Sequence, residues 1–186
     1  PALAQQNVDK VFGGITAEAG QEYGSLESVN GGITVREGAT VRAAETVNGG
    51  ITIDAGAVVR DGASTVNGGI RLASAANVGG RVETVNGGIT LDRAHIGGGI
   101  ETVNGDIEVG AGSRVEGGIT VRKPTGWSWG KPRTPRVTIG AGAVVEGTLL
   151  FEREVELFVH DSATVGRIEG ATAKRYSGDS LPEVEK

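Results

Sequence analysis

The sequence predicts an all-β fold: a single-domain parallel β-helix (β-solenoid) of triangular coils of about 18 residues, with about eight coils and its handedness open. Three observations carry this. Val-Asn-Gly-Gly-Ile recurs at Val29–Ile33, Val47–Ile51, Val66–Ile70 and Val85–Ile89, with Val103–Ile107 as a variant, at separations of 18, 19, 19 and 18 residues. A finer period of six runs inside it, through Val29, Val35, Val41, Val47, Ile53 and Val59, then Val66, Leu72 and Val78 after a one-residue slip. Finally, 33 of 186 residues are glycine, whereas Phe, Tyr and Trp together make up 4%. Valine and isoleucine must therefore fill the core.

Composition also narrows the function classes. The chain has no cysteine, which removes disulfides, thiolate metal sites and Cys nucleophiles. A net charge of −5 argues against nucleic-acid binding. No apolar run is long enough for a transmembrane helix.

Residues 1–10 form an N-terminal segment. Ala2-Leu3-Ala4 before Gln5 has the small-residue pattern of a signal-cleavage remnant, implying a periplasmic or secreted protein. If those residues are no such remnant, the compartment is cytoplasmic. The solenoid is expected over 11–170. Within each hexad, alternation as in Ile33-Thr34-Val35 places two residues inward and one outward. Gly-Gly or Ala-Gly-Ala then turns the corner. Helix is opposed by the period and by glycine at ~1 kcal/mol each.

Stacking turns positions into rows. Asn30, Asn48, Asn67, Asn86 and Asn104 should form an internal amide ladder at one corner. Beside it run Ser28, Thr46, Thr65, Thr84 and Thr102, then Glu27, Glu45, Glu83 and Glu101, interrupted by Ser64. Adjacent carboxylates repel by about 1 kcal/mol in water. Read as a solvated edge, the row needs no cation; read as a metal site, it would take one. The solvated edge is preferred, and no metal or other cofactor is expected.

An inserted loop, 122–136, breaks the period. It holds both tryptophans, three of five prolines and five basic residues, with no acidic one. Proline excludes it from central strands, so it should project from a corner. Trp127, Trp129, Lys131 and Arg133 are the candidate ligand-binding residues. One reading folds the indoles back on the prism; the other stacks them on sugars, grips an anionic polymer or anchors to lipid headgroups. The stretch Phe151–Val159 should protect a terminal coil with charge. Residues 171–186 read as a polar C-terminal tail.

The stretch from Val137 to Gly170 (Val-x-Ile-x-x-Gly-Ala-x-Val-x-Gly, then Val-x-Leu-x-Val and Ala-x-Val-Gly) resembles a bactofilin, while the Val-Asn-Gly-Gly-Ile coils resemble extracytoplasmic adhesin-type β-strand-repeat proteins. The bactofilin resemblance implies a non-enzymatic, filament-forming cytoskeletal protein, although an exported chain departs from that family's cytosolic habit. The hexads are also similar to those of left-handed hexapeptide acyltransferases, with Ile53-Asp54-Ala55-Gly56-Ala57-Val58 the nearest unit. That family wants small residues where Ile33, Ile51, Ile70 and Ile89 stand, and it uses a histidine base, for which only His95 and His160 are present. The expected function is a non-enzymatic, exported scaffold that is structural, self-associating or adhesin-like, its partner a second copy or a cell-wall or surface polymer. The acyltransferase and the filament former are the alternatives.

Overall fold

The computed structural model describes residues 5–126 and 132–181. These residues build a parallel β-solenoid of three sheets with nine, nine and seven strands. The first sheet begins with Val8–Phe12, Ser25–Asn30 and Ala43–Asn48 and ends with Leu149–Phe151 and Ile168–Glu169. The second runs from Ile15–Ala17 to Ala173–Tyr176, and the third from Thr40–Val41 to Thr164–Val165. Each strand pairs in parallel with its equivalent one coil on, as in Ile51↔Ile70↔Ile89. Among the described residues, no helix is long and apolar enough to cross a membrane.

The stack has about nine turns, against about eight expected. It is longer at both ends. Val8–Phe12 starts inside the segment 1–10, and Ala173–Tyr176, within the tail 171–186, pairs with Glu156–His160. Both ends lack the Val-Asn-Gly-Gly signature, but backbone pairing asks only for extended chain at the right offset.

The core is a set of buried columns. Ile33, Ile51, Ile70, Ile89 and Ile107 form one on the second sheet, and Val41, Val59, Val78, Ile96 and Val115 another on the third. Each such side chain contributes about 1.5–3 kcal/mol by leaving water. No single coil could enclose its own, so stability resides in the stack.

The first sheet departs from the six-residue register. Leu26 and Ser28 point inward, so pleating sends Glu27 and Val29 outward. The Val29, Val47, Val66 and Val85 column therefore lies outside, and the interior position next to it is taken by Ser28, Thr46, Thr65, Thr84 and Thr102. Buried hydroxyls are stable there because Thr46, Thr65 and Thr84 each donate, at 2.8 Å, to a glycine carbonyl (Gly31, Gly49 and Gly68) one coil back.

The asparagine ladder forms, but outside the core. Asn48, Asn67, Asn86 and Asn104 donate in turn to the amide oxygen of the asparagine one coil back, at 2.9–3.0 Å, and all are exposed. The neighbouring corner demands glycine. A Cβ on Gly68 or Gly87 would lie 2.0 Å from the carbonyl oxygen of Gly49 or Gly68. That close stacking of bare backbone is why the motif repeats.

Candidate functional site

The inserted loop leaves the first sheet after Ile119–Val121 and rejoins the second at Arg136–Ile139, one residue before its expected end. It therefore sits at the corner that carries the asparagine ladder. Trp127, Trp129 and Lys131 lie outside the described residues. Arg133 is described, and its guanidinium meets the Asp106 carboxylate at 2.5 Å. The other oxygen of Asp106 accepts the Arg136 backbone N–H at 2.9 Å.

Arg153 ties this region together. It donates to the Asn104 amide oxygen and the Val103 carbonyl, each at 2.9 Å, and to the Arg133 carbonyl at 2.8 Å. The amides all point the same way, so Asn104 would otherwise present an unmatched acceptor; a cation is the strong partner for it. Sequence reading placed no role on Arg153, because it is 49 residues from Asn104.

The more extensive surface is the outward face of the first sheet. Apart from Phe12, every large exposed apolar side chain among the described residues stands in one line on it: Val11, Val29, Val47, Val66 and Val85, at 60%, 42%, 41%, 40% and 38% exposure. Val103 extends the line half-buried. Contiguous apolar surface of this kind marks interaction sites more often than scattered exposed residues do. Two positions upstream on the same face is the row Asp9, Glu27, Glu45, Ser64, Glu83, Glu101. A shallow trough between the two rows opens toward the N-terminal coils, lined by Asp9, Val11, Glu27, Val29 and Glu45.

The face is electrostatically divided. In its upper half, Arg81 contacts Glu83 at 3.0 Å and Glu101 at 3.4 Å, and Arg122 pairs with Glu101. The hydrogen bond to Glu101, and then its charge, raises the Arg122 guanidinium above its ordinary value. In the lower half, Asp9, Glu27 and Glu45 have no cationic partner among the described residues. Where carboxylates crowd at Glu83 and Glu101, arginine side chains offset the repulsion. No cluster of three or more metal-ligating side chains occurs among the described residues.

This valine line was readable but misassigned. Leu26 and Val29 are three residues apart, an odd offset, so a continuous strand cannot turn both inward. The histidines stand apart, His95 on the third sheet and His160 on the second. His95 sits between Asn77 at 3.3 Å and Glu116 at 2.9 Å, while His160 contacts Ser162 at 2.7 Å and the edge of Tyr176. No protein-family model matches this chain, and no curated protein or solved structure matches it significantly.

Proposed function

We propose that this protein is a non-enzymatic, exported scaffold: a rigid rod that works by contact along its valine face with another macromolecular surface, either a copy of itself or an envelope polymer. The observation that carries this is the single file of exposed valines along a nine-stranded parallel sheet. Such a surface costs solubility when bare, by about 25 cal/mol for each Å² of apolar area left in water. Of the loop's candidate residues, Arg133 is already engaged by Asp106.

The test compares the native chain with Val47→Lys/Val85→Lys. Both side chains point to solvent, so far-UV circular dichroism should be unchanged. Binding to insoluble cell-wall polysaccharide and self-association by sedimentation are then measured. Loss of either supports the reading; retention of both at native strength removes the valine face as the contact surface. Acyl-CoA-dependent transfer that disappears in His95→Ala or His160→Ala would instead favour the enzyme alternative.

A further inference from the structure

We infer that Asn104 is a site of spontaneous covalent modification, its side-chain amide converting to a carboxylate through a cyclic imide formed with Gly105. Asn30, Asn48, Asn67, Asn86 and Asn104 all stand in Val-Asn-Gly at the same corner. Glycine leaves the backbone nitrogen that follows each asparagine unshielded, so all five share one intrinsic chemistry. Any difference in their rates then comes from the fold.

The nucleophile is the glycine nitrogen. Gly31, Gly49 and Gly68 each donate their N–H to the carbonyl of the asparagine one coil on, at 3.0–3.1 Å, which holds the corner in place. Gly105 has no such acceptor among the described residues, because one coil on the chain leaves the first sheet after Val121 for the inserted loop. The threonine bond fails there too: Thr84 donates to Gly68, whereas Thr102 Oγ1 has no partner. The corner at Asn104 is thus the least restrained of the five.

The electrophile is the amide carbon. Asn30, Asn48, Asn67 and Asn86 give their amide oxygens to a neutral amide one coil on. The Asn104 oxygen instead accepts from the Arg153 guanidinium at 2.9 Å. That cation draws electron density from Cγ and stabilises the oxyanion formed on attack. Asn86 separates the two effects. The Gly87 N–H also lacks a backbone acceptor among the described residues, but the Asn86 amide oxygen meets no cation.

In the reaction the Gly105 nitrogen loses its proton to solvent base and bonds to Asn104 Cγ. The Cγ–Nδ2 bond then breaks and ammonia leaves. Water opens the imide at either carbonyl, giving aspartate or isoaspartate, so the sum is amide plus water to carboxylate plus ammonium. The new carboxylate faces Arg153 and turns an amide–cation contact into an ion pair.

Trypsin places each of the five asparagines on its own peptide, so mass spectrometry follows all of them in one sample of the native chain held at mildly alkaline pH. Asn104 should convert first and Asn86 next, with Asn30, Asn48 and Asn67 at least about tenfold slower than Asn104. In urea the five rates should converge; a ranking that persists there belongs to the sequence and overturns the proposal. Arg153→Gln keeps a donor without the charge and should slow Asn104 to the rate of Asn86. If Arg153 only restrained the corner, that variant would convert faster, and the proposal fails. It fails equally if folded Asn104 converts no faster than Asn48, or if the product is aspartate alone, since a cyclic imide also yields isoaspartate.

Discussion

Replacing Gly87 by alanine tests whether close backbone stacking, rather than glycine's flexibility, explains the repeated Asn-Gly-Gly. The added Cβ would lie 2.0 Å from the Gly68 oxygen and 2.4 Å from its carbonyl carbon. Ordinary carbon–oxygen contacts begin at about 3.3 Å, so the corner must open by more than about 1 Å. Three hydrogen bonds cross that seam: Thr84 Oγ1 to Gly68 O at 2.8 Å, Asn86 Nδ2 to Asn67 Oδ1 at 3.0 Å, and Gly68 N to Asn86 O at 3.1 Å. Each contributes about 1 kcal/mol net, and an unpaired hydroxyl on buried Thr84 adds about 1–3 kcal/mol. The expected loss is about 4–6 kcal/mol, a fall in Tm of about 10–15 °C for a chain of this length. Gly56→Ala is the control: its φ is +65° but its Cβ would meet nothing within 4 Å, so it should cost only about 1–2 kcal/mol. Thermal melts followed by circular dichroism decide between them. A Gly87→Ala melt no lower than that of Gly56→Ala would refute the steric account.

Other substitutions probe single features. Thr102 Oγ1 is the one buried side-chain polar atom without a partner among the described residues, so Thr102→Val should raise stability by about 1 kcal/mol, whereas Thr84→Val should lower it by a similar amount in urea melts. Arg93 holds φ at 45° in the turn column where Gly56 and Gly112 stand, so Arg93→Gly should raise stability by about 1 kcal/mol, read the same way. Burial, and then the charge of Glu108, raises the Tyr176 hydroxyl above its ordinary 10.0. The unfolded chain therefore loses that proton first, so this contribution is full below pH 10.0 and declines as pH rises through the higher folded value. Tyr176→Phe should abolish that decline, measured as urea midpoint against pH.

The repeat was legible because a solenoid maps chain distance onto spatial stacking. Residues eighteen or nineteen positions apart are neighbours, so five asparagines in sequence announced their own column. Corners were legible too, since Gly87 has no substitute where one carbonyl lies over the next. The exposed valine face was harder to read. Valine is equally at home inside or outside a strand, and its six-residue spacing concealed a change of parity in Ser25–Asn30. The inward turn of Thr46, Thr65 and Thr84 depends on the carbonyls of Gly31, Gly49 and Gly68, which receive their hydroxyls from the next coil.

By itself, then, the sequence determined the coil length, the glycine corners, the stacking rows and the place where the loop departs. These follow from local backbone geometry repeated in register. Only the tertiary structure decided which side of the first sheet meets water, which carboxylates acquire an arginine, and that Arg153 reaches back to close the amide ladder. Those outcomes depend on side chains from different coils meeting in space, where burial and charge are settled jointly rather than residue by residue.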